Sequence, residues 1–147
     1  MLTLRHFEQE DAETLRSLLY PDMTIPVIQD MIRQWNTCVH EDRYFEIFAV
    51  LFESRIVGTV SLYERSRNMV SAGAEIFRDE RGKGYAAQAM ALLEEVAKEK
   101  GYRLILNQVR TDNQASIRLH EKLGYERDSS IYCNQRGHEV YLYVKLI

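Results

Sequence analysis

The chain has 147 residues and a formal net charge of −3, with 46% hydrophobic and 28% charged residues, a balance typical of one globular domain. This mild acidity argues against nonspecific nucleic-acid binding, and no apolar run approaches the roughly 20 residues of a membrane span. Two cysteines, Cys38 and Cys133, are too few for a disulfide framework and too isolated for a zinc site. We therefore expect a cytoplasmic protein with no metal, no nucleic-acid partner and no membrane partner.

The first part of the sequence predicts one strand and two helices. Leu2–Phe7 alternates like a strand and lacks the long apolar core of a signal peptide. Helical spacing of apolar residues follows over Ala12–Tyr20, and again from Pro26 to about Trp35.

The apolar period then changes from 3.6 to 2, which indicates three consecutive strands. They are predicted over Tyr44–Leu51, Ile56–Tyr63 and Val70–Phe77. A polar turn separates the first two, so we expect them to form a hairpin.

The remaining sequence alternates between helices and strands. A helix should run to about Lys100, followed by a strand over Leu104–Val109 and a helix from Asn113 to Gly124. Two strands close the chain, around Ser130–Asn134 and over Glu139–Ile147. The predicted order is β-α-α-β-β-β-α-β-α-β-β, a mixed α/β sheet in a single domain over residues 1–147, not a doubly wound parallel sheet.

A segment with two glycines, Arg81-Gly82-Lys83-Gly84-Tyr85-Ala86, joins the third of these strands to a helix. Such a segment exposes backbone N–H groups at the positive end of a helix, where phosphate binds. It is not a P-loop, because no Gly-Lys-Ser/Thr follows at the required spacing, and Ala87 breaks the dinucleotide fingerprint. The sequence predicts a pyrophosphate-bearing cofactor here. Arg81 and Lys83 add positive charge, although Lys83 is equally suited to a solvated position.

A second segment, Asn113-Gln114-Ala115-Ser116-Ile117-Arg118-Leu119-His120-Glu121-Lys122-Leu123-Gly124-Tyr125, makes the pair specific. The two segments resemble the GNAT superfamily of acetyl-CoA-dependent N-acetyltransferases. The first matches that family's Q/R-x-x-G-x-G/A loop, and the second matches its N-x-x-A/S-x-x-L-Y-E-K-L-G-F/Y helix. The departure is His120, where the family usually has Tyr.

The resemblance implies transfer of an acetyl group from acetyl-CoA to a primary amine by direct attack in a ternary complex. The acceptor would be a small-molecule amine, an amino acid or a protein N-terminus. The residues expected at the cofactor are Ile76, Phe77, Arg81, Gly82, Lys83, Gly84, Tyr85, Ala86, Asn113 and Ser116. Asn113 is also a natural N-cap for its helix, and the two roles are compatible.

Two side chains are candidates for proton transfer. A Lys-like amine has a reference pKa of about 10.4 and must lose a proton before it attacks. Glu75, among small and apolar residues on the strand before the loop, is the candidate base, directly or through water; the alternative is a solvated strand carboxylate. His120 is either the acid that protonates the CoA thiolate or a packed histidine without chemistry. Backbone N–H groups around Phe77 are candidates to polarise the thioester carbonyl.

Two other classes of function stay open. One is a non-catalytic CoA-binding regulatory module, for which the replacement of Tyr by His120 is the one hint. The other is an interaction domain that binds no CoA. The C-terminal segment, Val140–Ile147, is long and apolar for a terminal strand and would invite aggregation as a bare edge. We therefore expect a partner strand or a second subunit to cover it, and we predict a homodimer.

Overall fold

The computed structural model describes residues 1–147 as one sheet with helices on both faces. The helices are α1 (Ala12–Leu18), α2 (Ile25–Trp35), α3 (Tyr85–Glu99) and α4 (Gln114–Lys122). The strands are β1 (Leu2–Arg5), β2 (Val39–His40), β3 (Arg43–Phe52), β4 (Arg55–Ser66), β5 (Met69–Ile76), β6 (Leu104–Arg110), β7 (Glu126–Cys133) and β8 (Glu139–Leu146). The predicted mixed α/β fold and element order are confirmed, with the two-residue β2 as an addition. None of the helices is long and apolar enough to cross a membrane.

The strands lie in the order β1-β3-β4-β5-β6-β8-β7, with β2 paired to β3. Only β5 and β6 run parallel, and their pairing is limited to Met69 with Leu104 and Val70 with Ile105. Beyond these two pairs the strands separate. We call the opening between residues 73–76 of β5 and the end of β6 the splay.

Side chains bridge β5 and β6 where the backbone pairing stops. The Ser71 hydroxyl donates to the Leu106 carbonyl at 2.5 Å, and the Ala72 N–H donates to Asn107 Oδ1 at 2.9 Å. Asn107 thus takes the place of a backbone acceptor at the base of the splay.

The helices cover both faces of the sheet. On one face, Leu93 of α3 packs into a core that includes Val60 of β4. On the other face, Leu15 of α1 and Ile32 of α2 pack against Ala49 of β3. Cross-strand partners share a face, and Ala49 pairs with Thr59, which pairs with Glu75. Glu75 therefore lies on the α1–α2 face, as do Ser71 and Gly73 by alternation.

The structure shows what covers the C-terminal strand. β8 is not an edge, because it pairs with β6 on one side and with β7 on the other. Val140 and Tyr143 are buried, Tyr143 completely, whereas Leu146 at the end of the strand is exposed. The edge is β7, which exposes Ile131 and Tyr132. A partner strand therefore covers the C-terminal segment, which is one of the two covers that we expected. The last hairpin turns its second strand inward, so chain order differs from sheet order.

Candidate active site

A groove of about 570 Å³ opens at the carboxyl end of β5, between the start of α3 and one side of α4. It brings together most of the residues that the sequence predicted, although they lie on separate elements. These are Glu75, Ile76, Arg81, Gly82, Gly84, Tyr85, Ala86, Asn113 and Ser116. Phe77, Lys83 and His120 lie outside it.

The loop before α3 has a backbone shape that glycine adopts most readily. Gly82 has φ +78 and Gly84 has φ +80, both in the left-handed region. A Cβ added at Gly82 would meet no heavy atom within 4 Å, and one at Gly84 would meet only the Gln88 side-chain nitrogen at 3.9 Å. Conformation, not lack of room, therefore requires glycine in the free protein. The space in front of the loop is left open for a ligand.

The N-terminus of α3 has no cap of its own. Its N-cap, Gly84, has no side chain to accept a hydrogen bond. No backbone N–H from Gly82 to Ala87 donates to another group of the protein. By contrast, Asn113 caps α4, since its Oδ1 accepts from Ser116 N at 3.1 Å. A row of free donors at the positive end of a helix fits the predicted pyrophosphate.

Arg81 and Lys83 occupy different surroundings. Arg81 lines the groove, where its Nε donates to the Ile76 carbonyl at 3.0 Å. Lys83 instead lies 3.7 Å from Glu80 and 5.9 Å from the Tyr85 ring centre. Of the two cations, only Arg81 faces the groove.

Glu75 is exposed and lines the groove on the face that α1 and α2 cover. Tyr20, just after α1, lies near it: burial raises the pKa of the Tyr20 hydroxyl, and the negative charge of Glu75 raises that pKa further. The carboxylate therefore faces the N-terminal helices.

His120 is buried, with 5% of its surface exposed, and both ring nitrogens are hydrogen-bonded within the protein. Nδ1 lies 2.8 Å from the Ser116 carbonyl, which can only accept, so Nδ1 carries the proton. Nε2 lies 3.0 Å from Asn107 Nδ2 and accepts from it. Burial lowers the pKa of His120, and the hydrogen bond to Ser116 opposes that effect only in part. The ring is therefore neutral at physiological pH.

The backbone donors in the splay differ from those expected. The Phe77 N–H donates to the Val57 carbonyl at 2.9 Å, so it is not available to a thioester. N–H directions alternate along a strand, and the Ala72 N–H points toward β6. The Ala74 and Ile76 N–H groups therefore face the splay.

Comparison with known proteins identifies the family. Residues 1–126 match the family described as "Acetyltransferase (GNAT) domain". The chain belongs to the GNAT acetyltransferase family.

Relatives and solved structures agree with this assignment. The chain is 29% identical to a Bacillus subtilis protein named "SPbeta prophage-derived uncharacterized N-acetyltransferase YokL" over 128 residues, which are 85% of this chain and 71% of that protein. It is 34% identical over 64 residues to the L-methionine sulfoximine/L-methionine sulfone acetyltransferase of Pseudomonas aeruginosa, covering 44% of this chain and 37% of that enzyme. RimL, a ribosomal L7/L12 alpha-N-protein acetyltransferase solved with coenzyme A, has a TM-score of 0.83 at 16% identity, covering 99% of this chain and 94% of that one. GNAT enzymes use acetyl-CoA as cosubstrate.

This GNAT acetyltransferase has two groove residues that sequence reasoning missed. Arg118 and Lys122 are one turn apart on α4, and both line the groove. Together with Arg81 they surround it with three cations. Their spacing, one turn apart in the helix that Asn113 caps, was the available signal.

One group in this GNAT acetyltransferase combines metal-binding side-chain types. The ligand atoms of His6, Cys38 and Glu46 lie within 4.8 Å of one another. Glu46 is buried and already accepts from the Tyr44 hydroxyl and from His6 Nε2, both at 2.5 Å, with Lys100 Nζ at 3.6 Å. Burial raises the pKa of Glu46, but these hydrogen bonds and the charge of Lys100 outweigh it and lower that pKa. We interpret the group as a structural network.

Proposed function

We propose that this enzyme transfers the acetyl group of acetyl-CoA to a primary amine, either a small-molecule amine, an amino acid or a protein N-terminus. The amine would attack directly within a ternary complex. The supporting observation is the row of unpaired N–H groups from Gly82 to Ala87, in the same groove as Glu75. The names of its relatives support an amine acceptor, because one acts on L-methionine sulfoximine and another on a ribosomal protein.

The groove residues fall into two sets in this proposal. The loop N–H groups, with Arg81, Arg118 and Lys122, hold the phosphates of CoA. The Ala74 and Ile76 N–H groups, which face the splay, hold the arm that leads to the thioester. Acetyl-CoA supplies an acyl group activated as a thioester.

Glu75 acts as the base in this proposal. Its carboxylate takes a proton from the acceptor ammonium, directly or through one water, so that the nitrogen lone pair can attack. Its exposure and its position on the α1–α2 face place it where an acceptor can approach.

We propose that His120 modulates transfer without being needed for CoA binding. An acid role requires a second proton on the ring, on the nitrogen that now accepts from Asn107. If His120 is the acid, His120→Ala slows turnover and His120→Tyr restores much of it, with CoA affinity unchanged. If His120→Ala turns over like the parent across pH, solvent protonates the thiolate.

The second candidate is a non-catalytic CoA-binding module. The observation that favours it is that both ring nitrogens of His120 form hydrogen bonds within the protein, at the position where the family has Tyr. Release of free thiol from acetyl-CoA in the presence of a panel of amines tests the choice. Amine-dependent release supports the enzyme, whereas CoA binding without release supports the module.

We further propose a homodimer in which a second copy covers the edge strand β7. The support is the exposure of Ile131 and Tyr132 on that edge, at 53% and 41%. Light scattering at micromolar concentration should give twice the 17.3 kDa of one chain. A single 17.3 kDa particle would contradict the dimer.

A further inference from the structure

A second cavity, of about 330 Å³, lies on the α1–α2 side of the sheet where β5 and β6 begin to separate. We call it the Arg65 pocket. Its lining includes Tyr63, Arg65, Ser71, Gly73, Gln108 and His120, none of which lines the CoA groove. Its volume is at the low end of the ~300–1,000 Å³ that small-molecule sites have, so it suits a small acceptor.

The Arg65 pocket and the groove adjoin each other across the splay. On β5, Gly73 lines the pocket and the next residue, Ala74, lines the groove. On α4, Ser116 lines the groove, and His120 lines the pocket one turn later. A cofactor entering from the groove and an acceptor entering from the pocket would therefore meet at the splay.

Arg65 is the one charged side chain that lines this pocket. Its Nε donates to the Ser71 hydroxyl at 2.8 Å, and its guanidinium lies 5.0 Å from the Tyr63 ring centre. Ser71 can accept because its own proton goes to the Leu106 carbonyl. The guanidinium is thus held in place from one edge and one face.

The two terminal nitrogens of Arg65 have no partner in the protein. They form no hydrogen bond, and no carboxylate lies within ion-pair distance. Most other arginines of the chain likewise lack an ion pair; Arg65 differs in that Ser71 and Tyr63 orient its guanidinium at a cavity. An oriented guanidinium with free terminal N–H groups is the geometry that binds a carboxylate through two parallel hydrogen bonds.

We infer that the acceptor is a small amine that carries a carboxylate, of the α-amino-acid class, and that Arg65 binds that carboxylate. This inference rests on the proposed function and narrows its acceptor. A polyamine would bring a second positive charge next to Arg65 without a counter-charge in the pocket, which is unfavourable. A carboxylate instead pairs with the fixed cation while the amine of the same molecule extends toward the splay.

The test compares methionine with methioninamide, in which an amide replaces the carboxylate, and with spermidine, a polyamine without a carboxylate. Thiol release is measured for methionine, for methioninamide and for spermidine. The wild type should favour methionine over methioninamide in kcat/KM by about 10- to 100-fold, the range expected for hydrogen bonds to a charged group. Arg65→Gln should lower the value for methionine by a similar factor and leave methioninamide nearly unchanged.

Arg67→Gln is the matched control. It removes the same charge from the exposed β4–β5 turn, from a residue that does not line the pocket, so the methionine preference should persist. CoA affinity and the far-ultraviolet circular dichroism of Arg65→Gln should equal those of the parent. A wild type that acetylates methioninamide or spermidine as well as methionine would overturn the inference and leave acetyl transfer standing.

A binding experiment distinguishes failure of this inference from failure of the proposed function. Calorimetry measures N-acetylmethionine binding to the CoA-saturated protein, which needs no turnover. Binding that Arg65→Gln abolishes supports the inference even if no amine is acetylated. Absence of binding to the wild type overturns it.

Discussion

The single carboxylate of Glu75 carries the proton transfer that we propose. Glu75→Gln keeps the size of the side chain but removes the base, so kcat should fall by about 10²- to 10⁴-fold. The loss should shrink as pH rises, because more of the amine is then already neutral. A pH–rate series on the variant measures this effect. The control is Glu95→Gln, which changes an exposed glutamate on α3 and should have no such effect. An unchanged profile in Glu75→Gln would remove this residue from the mechanism.

The neutral ring of His120 should make stability depend on pH. Burial lowers the pKa of His120 below its ordinary value of 6.5, so the unfolded chain binds a proton at a pH where the folded chain does not. The stability from this residue is present above pH 6.5 and is lost as pH falls from that value to the lower pKa of the folded state. Urea unfolding between pH 5 and 7.5 should show this loss in the wild type, and a flatter curve in His120→Gln. Equal slopes in the two proteins would mean that folding does not shift the pKa of His120.

The loop that begins α3 is the element that we propose binds the phosphates of CoA. Gly84→Val should weaken CoA binding strongly, because it places a side chain in front of the free N–H groups. The matched control is Gly101→Val at the other end of the same helix. Gly101 also has a left-handed φ, +94, with no atom within 4 Å of an added Cβ.

Both valine variants should lose a similar amount of stability, about 1–2 kcal/mol, from the left-handed conformation. Only Gly84→Val should lose CoA affinity in a calorimetric titration. Wild-type affinity in folded Gly84→Val would show that the phosphates bind elsewhere.

The close approach of β4 to β5 fixes the position of Glu75. A Cβ added at Gly58 would lie 2.4 Å from the Glu75 carbonyl and 2.9 Å from the Ile76 Cα. Both are backbone atoms, so β5 must move. We expect Gly58→Ala to cost about 1–3 kcal/mol in the free energy of unfolding and to lower kcat as well. Thermal melts and steady-state rates measure the two effects, and a fully active variant would show that Glu75 tolerates the displacement.

Ligand binding should stabilise the whole molecule. Acetyl-CoA at 100 times its Kd should add about 2.7 kcal/mol to the free energy of unfolding, because the unfolded chain has no groove. A thermal-shift titration tests this, with Gly84→Val as the variant that should not respond. No shift in the wild type at millimolar acetyl-CoA would favour an interaction domain that binds no CoA.

For the whole molecule, the sequence predicted the features that depend on residues close together in the chain. Two closely spaced glycines before a helix, such as Gly82 and Gly84, indicate a left-handed backbone conformation. The order of the elements follows from the periodicity of the apolar residues. The inward position of β8, the orientation of Arg65 and the hydrogen bond between Asn107 and His120 depend on partners in other strands and helices. No local pattern encodes those partners, so the sequence predicted the loop that we propose for the cofactor but not the pocket that we propose for the acceptor.

The short pairing of β5 with β6 makes the position of Glu75 sensitive to rotation of one half of the sheet relative to the other. Backbone pairing joins the two halves of the sheet only over one short edge, at Met69 and Val70. Glu75 lies five residues beyond that edge, a lever arm of roughly 17 Å. A rotation of about 3° between the two halves would therefore move Glu75 by about 1 Å relative to β6. A displacement of that size can cost an enzyme about 10²-fold in rate. The Asn107 side chain accepts a hydrogen bond from the Ala72 N–H and so joins the two halves beyond the backbone pairing. We expect this hydrogen bond to limit the rotation.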